Sequence, residues 1–182
     1  MINTRLLSIS LLASACISLP VAAQEKPYLG LDYSVFTYEN SHPGASDAEP
    51  TAVRLRLGSV VAKYLAVEAQ VAIGAGDDDI TITTLGGTTA HTISSPISYG
   101  VFARPQVSMG QLSLYALAGY SYVEFDYSPA PVAGGTDNLS TSDFSYGAGA
   151  QFDFGQNLGI NASFTQYVEG LSSVNAGVVY RF

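Results

Sequence analysis

The 182-residue chain has no tryptophan, one cysteine, two histidines and only seven lysines and arginines. Each shortage removes a class of function. The single cysteine, Cys16, lies in the first 23 residues. If that segment is cleaved, the remainder has no thiol, which excludes disulfides and thiol catalysis even in an oxidising compartment. Fifteen acidic residues outweigh the basic ones, and nucleic-acid binding calls for the reverse balance. Beyond the front of the chain no apolar run reaches the ~20 residues of a membrane-spanning helix.

The front, "MINTRLLSISLLASACISLPVAAQ", has one arginine, an apolar run from about Leu6 to Ile17 and then small residues. This is the pattern of a secretory signal peptide. Cleavage after Ala23 makes 1–23 the signal and 24–182 the mature domain. Loss of Arg5 leaves six basic against fifteen acidic residues, a net of −9. "ASAC" ending at Cys16 partly matches a lipoprotein processing box, with Ala13 where that box prefers leucine.

What the mature chain does have is alternation. In "YLGLDYSVF", Leu29, Leu31, Tyr33 and Val35 share a face opposite Gly30, Asp32 and Ser34. "VRLRLGS", "LAVEAQVAI", "ISYGVFARPQV", "LSLYALAGYSY", "FSYGAGAQFDF" and "LGINASFTQY" repeat the pattern, and so does the ending "SSVNAGVVYRF". Successive strand residues point to opposite faces, so each stretch predicts a strand with one apolar side. That gives eight strands of about ten residues, the length of a tilted transmembrane strand. A soluble sandwich needs a covering layer, and no helical period supplies one. A closed antiparallel barrel in lipid needs none, because closure pairs every backbone group.

The connections also sort by length. Short ones fall at 62–64, 109–111 and 155–157. Longer ones fall at about 39–51, 76–95 and 127–142, with a shorter one near 169–173. Short periplasmic turns and long external loops are the rule for outer-membrane barrels. "ITITTL" after Asp77–Asp79 predicts that the second long connection rises as a strand pair. The three adjacent aspartates lack the spacing of a calcium loop and predict a solvated acidic segment. Pro105 should sit at a bulge or near the periplasmic rim. Without tryptophan, the interfacial belts fall to tyrosine and phenylalanine. Tyr64, Phe152, Phe154, Tyr180 and Phe182 gather near the short-turn end, and Tyr33, Tyr99, Tyr120, Tyr122, Phe144 and Tyr146 near the other.

Strand number, pattern and the ending "VVYRF" resemble the small eight-stranded outer-membrane β-barrel family that includes OmpX, Ail and the transmembrane domain of OmpA. The resemblance covers the mature chain and implies integral outer-membrane location, with lipid and lipopolysaccharide as neighbours. It implies that Tyr180 and Phe182 form the C-terminal signal read by the barrel assembly machinery. Full-length OmpA continues into a peptidoglycan-binding domain and this sequence does not, so wall tethering is not implied. The expected role is structural or surface-interacting, in adhesion or envelope integrity, with the loops meeting any extracellular ligand and the chain acting as a monomer.

The inner faces carry seven charges: Asp32, Arg54, Arg56, Glu68, Arg104, Asp153 and Arg181. Buried charges require partners, so these residues predict a paired network, with Glu68 pairing one or more of Arg54, Arg56 and Arg104. It reads as a plug that stiffens the barrel. Resemblance to OmpA keeps a small gated ion channel or porin as the alternative. A lipid-modifying enzyme is the second alternative, but His42 and His91 both fall in expected loops rather than on a wall strand. No catalytic residue, cofactor or metal site is expected.

Overall fold

In a computed structural model, residues 27–39, 48–84, 87–93, 97–128, 137–168 and 170–182 are described. The signal segment 1–23, Cys16 and His42 lie outside the described residues. Among the described residues ten strands form: β1 Tyr28–Tyr38, β2 Thr51–Ala62, β3 Leu65–Gly76, β4 Asp78–Thr84, β5 Gly87–Ile93, β6 Ile97–Met109, β7 Leu112–Ser128, β8 Asp137–Phe154, β9 Leu158–Val168 and β10 Leu171–Arg181.

Eight of them close a barrel. The order β1-β2-β3-β6-β7-β8-β9-β10 returns to β1, and every neighbouring pair is antiparallel. The closing seam pairs Tyr28 with Arg181 at one end and Tyr38 with Leu171 at the other. The remaining two strands, β4 and β5, are the hairpin expected from "ITITTL", paired from Asp78↔Ile93 to Thr84↔Gly87. It touches the barrel strands through Thr92↔Ser128 and Ile93↔Tyr127. His91 stands on this hairpin, opposite Ile80, not in a loop.

The alternation sets the two faces. Leu31, Leu55, Val101, Leu114, Ile160 and Val178 are 45–50 % exposed within narrow limits, an apolar outer wall that only lipid can cover. On the opposite parity lie Asp32, Arg54, Glu68 and Arg104, all buried. Tyr33, Tyr120, Phe144 and Tyr146 ring one end of the outer wall; Tyr64, Phe152, Phe154, Tyr180 and Phe182 ring the other. Tyr99 and Tyr122, opposite each other across β6 and β7, stack at 4.9 Å.

Two of the turns fit their sequences closely. Gly110 and Gly155, both at φ 67°, take the left-handed conformation that other residues resist. Pro105 pairs with Leu65, the first residue of β3, so it sits near the short-turn rim. The β6–β7 ladder skips Arg104 and Pro105 but resumes in the same register at Gln106↔Tyr115, so there is an interruption and no bulge.

Two expectations require correction. Residues 127–142 do not form one long connection. β7 runs to Ser128 and β8 begins at Asp137, with Tyr127 paired to Asp137, because "VEFDYS" and "NLSTSD" pair as strands beyond the aromatic belt. The connection near 169–173 likewise contracts to 169–170, since Leu171 already belongs to β10.

Glycines on the inner face set the closeness of neighbouring strands. A Cβ on Gly177 would meet the Leu31 carbonyl oxygen and Asp32 on β1. Backbone cannot step aside as a side chain can. Gly177→Ala is therefore expected to destabilise the barrel by about 1–3 kcal/mol, read as a lower temperature for loss of the folded band in unheated gel electrophoresis. Ala176→Leu, on the exposed face of the same strand, should leave that temperature unchanged.

Candidate functional site: the charge network of the lumen

Every inward side chain competes for the width of an eight-stranded barrel, which is just wide enough for side chains to fill. The sequence meets this limit by setting long inward residues beside glycines. Arg56 lies against Gly30, the Tyr28 ring against Gly58, the Tyr115 ring against Gly149, and Asp153 against Gly159. The space each glycine leaves is the space its neighbour's side chain takes.

Asp32 on β1 lies directly opposite Arg54 on β2. Arg54 Nη2 stands 2.7 Å from Asp32 Oδ2, and Arg54 Nε donates to the same oxygen at 3.0 Å. Arg56, two residues further along β2, reaches the same carboxylate, with Nε 2.7 Å from Oδ2. Its Nη1 donates to Glu68 Oε2 on β3 at 3.2 Å. Arg104 on β6 approaches that oxygen at 3.7 Å. Glu68 thus sits between Arg56 and Arg104, while Arg54 turns to Asp32.

Neutral groups complete the shell. Tyr28 Oη donates to Glu68 Oε2 and Gln70 Nε2 to Glu68 Oε1, both at 2.6 Å. Arg54 also donates to Gln70 and Ser163, and Arg56 to Asn161. The Arg104 guanidinium lies 3.8 Å from the centre of the Tyr115 ring and 5.2 Å from that of Tyr28. Three arginines face two carboxylates in this buried group, so it carries one excess positive charge. The ring faces offset part of that excess at Arg104.

Asp153 and Arg181 pair at 2.7 Å, partly exposed near the short-turn end. Gln151 joins them to the buried group. It accepts from Arg104 Nη2 at 2.9 Å and donates to Asp153 Oδ1 at 2.8 Å. One continuous chain of polar contacts therefore runs from Asp32 to Arg181. Sequence reasoning joined only the charges into a network, without Gln151, Gln70 or Tyr28. Their inward parity was the only signal.

The larger omission is apolar. Toward the long-connection end the lumen is filled by Phe36, Ala48, Ala52, Ala72, Val123, Tyr167 and Leu171, all at most 2 % exposed. Phe36 and Tyr167 stack at 5.4 Å with an interplanar angle of 22°. Phe36, Val123 and Tyr167 fall on the inward parity of their strands, which was the available clue. The lumen thus holds two successive barriers, a paired charge layer and a dry layer.

The C-terminal strand ends on the outer wall. Tyr180 and Phe182 make an edge-to-face pair at 5.2 Å, and both are about half exposed. Phe182 N donates to Pro27 O at 3.0 Å, and Arg181 N to Asn157 O at 2.7 Å. The last residues are held by the seam and by the adjacent turn.

Residues 9–182 match the family model described as outer membrane protein beta-barrel domain. No curated protein matches the chain. Among solved structures, Ail of Yersinia pestis, crystallised in complex with the heparin analogue sucrose octasulfate, is 18 % identical, with a TM-score of 0.61 over 88 % of this chain and 100 % of that one. OprG from Pseudomonas aeruginosa is 12 % identical, with a TM-score of 0.64 over 87 % and 96 %. Neisserial surface protein A is 14 % identical, with a TM-score of 0.60 over 86 % and 97 %. At these identities the likeness is one of fold.

Proposed function

The chain belongs to the outer membrane protein beta-barrel family and is an integral outer-membrane protein, and on that premise we propose that it is a filled structural barrel that presents its external segments for surface interaction. One observation carries this reading: the charge layer around Glu68 and the dry layer around Phe36 both block the lumen, with Glu68 and Phe36 each 0 % exposed. Two complete barriers favour a scaffold over a conduit. The network Asp32, Arg54, Arg56, Glu68, Arg104, Asp153 and Arg181 then acts as a stiffening plug. By the family rule of short periplasmic turns, the termini are periplasmic and β4, β5 and the tops of β7 and β8 are external.

The sulfated ligand held by Ail does not transfer readily to this chain, because the mature sequence nets −9. The test is a deletion strain assayed for surface binding and envelope integrity, with purified protein in planar bilayers alongside. Loss of either strain property with conductance at background supports the proposal. Steady ion conductance supports the channel alternative instead, and a change in lipid A mass on expression supports the enzyme alternative. Either would overturn it.

We assign Tyr180 and Phe182 as the signal that hands the chain to the barrel assembly machinery. Removing Phe182, or making Phe182→Asp, is expected to lower outer-membrane levels several-fold and leave periplasmic aggregate. Among the described residues Phe182 makes one backbone bond and one ring pair, so a barrel already inserted should lose little stability. Fractionation of cells expressing each variant checks this. Unchanged outer-membrane levels for both variants would contradict the assignment.

A further inference from the structure

Three donors in the charge layer have no acceptor among the described residues: Arg104 Nε, Tyr115 Oη and Asn161 Nδ2. All three residues are more than nine-tenths buried. A buried donor left without an acceptor is costly, because it has given up its hydrogen bond to water.

The three belong to one neighbourhood. The Arg104 guanidinium lies 3.8 Å from the centre of the Tyr115 ring. Its Nη2 donates to Gln151 Oε1, and Nε shares an edge of the planar guanidinium with Nη2. Asn161 is paired with Gln151 across β8 and β9. Tyr115 Oη lies against Gly149, the next inward position to Gln151 on β8. Arg56 Nη2 donates to Asn161 Oδ1, so Nδ2 is the end of that amide left to donate.

The surroundings select what these donors would hold. A water molecule would accept from them, but its own hydrogens then need acceptors. The side-chain oxygens nearby are engaged: Gln151 Oε1 by Arg104, Asn161 Oδ1 by Arg56 and Ser163 Oγ by Arg54. A ligand that only accepts has no such need. Charge points the same way. Three buried arginines face two buried carboxylates, while Asp153 and Arg181 balance each other. One monovalent anion would cancel the excess. The narrow lumen of an eight-stranded barrel favours a single atom over phosphate or sulfate.

We propose that the lumen binds one halide ion, chloride in the cell, against Arg104 Nε, Tyr115 Oη and Asn161 Nδ2, as a structural part of the charge layer. The dry layer closes the long-connection end. The ion therefore enters past Gln151 from the short-turn end, where Asp153 and Arg181 are partly exposed. This inference rests on the plug reading of the network and adds the ion that completes it.

The experiment unfolds the full chain reversibly with urea in phosphatidylcholine vesicles. Sodium chloride replaces sodium gluconate at constant ionic strength. Chloride should stabilise the barrel. Once the site is saturated, each tenfold rise in chloride should lower the unfolding constant about tenfold. Tyr115→Phe keeps the ring beside Arg104 and removes one donor. In gluconate it should be at least as stable as wild type, since a buried hydroxyl without an acceptor is gone. It should need several-fold more chloride for the same gain. Arg104→Gln cancels the excess charge and should lose the chloride dependence; if it does not fold, Tyr115→Phe carries the test. Glu68→Gln doubles the excess and should reach half-saturation at lower chloride. Crystals grown in bromide should give an anomalous peak beside the three donors. A wild-type barrel indifferent to chloride would overturn the proposal. So would equal chloride dependence in wild type and Tyr115→Phe, the mark of a general salt effect, or bromide peaks confined to the surface. If chloride stabilises the barrel while planar bilayers show steady conductance, the site stands and the plug reading falls. If conductance stays at background and chloride has no effect, the site alone falls.

Discussion

Glu68→Ala is expected to destabilise the folded barrel by about 3–5 kcal/mol, the usual cost of removing one partner from a buried ion pair. The size follows from position. Glu68 accepts from Tyr28 and Gln70 at 2.6 Å and faces Arg56 at 3.2 Å and Arg104 at 3.7 Å. Its loss leaves three buried arginines with Asp32 alone, and Arg104 then has only Gln151 and two ring faces. Glu68→Gln keeps an oxygen for Tyr28 and most of the volume, so it should fall between wild type and alanine. Reversible urea unfolding in lipid vesicles measures both variants. Conductance of Glu68→Ala should stay at background, because the dry layer at Phe36, Tyr167 and Leu171 is untouched. Anion-selective current in this variant would instead make the charge layer the gate.

Ala148→Arg should cost about 2–4 kcal/mol, the range for arginine on the lipid face at the bilayer midplane. Ala148 lies on the exposed face of β8, between Phe144 and Tyr146 of one aromatic belt and Phe152 and Phe154 of the other. No carboxylate is within its reach on that face of β8 or at its paired positions, Ala116 and Phe164. The same substitution at Ser142, beyond the belt and exposed, should cost less than 1 kcal/mol, as expected near the interface. A soluble barrel with a solvated outer wall would tolerate both equally. Unfolding free energies of the two variants in vesicles of one lipid composition decide the matter.

The wall was legible in the sequence because a strand's period of two is rigid. Once Leu55 faces out, Arg54 and Arg56 must face in. Closure followed from the even strand count and the lack of any other cover for the apolar face. The tops of β7 and β8 were less legible. "DNLSTSD" is polar on both faces, since outside the membrane neither face needs to be apolar, so the alternation that marks the other strands is absent. The network was half legible. Parity placed Glu68 between strands carrying arginines, but pairing distances depend on rotamers and on the room left by Gly30, Gly58 and Gly177. The dry layer was missed because Leu171 opens β10 and Ala48 lies outside the strands, bridged to Tyr38 at the end of β1. There, a few inward apolar residues have no periodicity of their own and join only when the ends of β1, β9 and β10 meet.

The central claim is that the eight-stranded wall spans the outer membrane with its apolar parity in lipid. Single cysteines at Leu29, Leu55, Val67, Val101, Leu114, Ala148, Ile160 and Val178, with Asp32, Ser145 and Asn175 as inward controls, test it on every strand. Each outward site carries a fluorophore whose quenching by brominated lipid is read in vesicles. All eight should be quenched strongly, and the three controls weakly. Equal quenching of the two sets, or strong quenching at Asp32 with none at Leu55, would contradict the account.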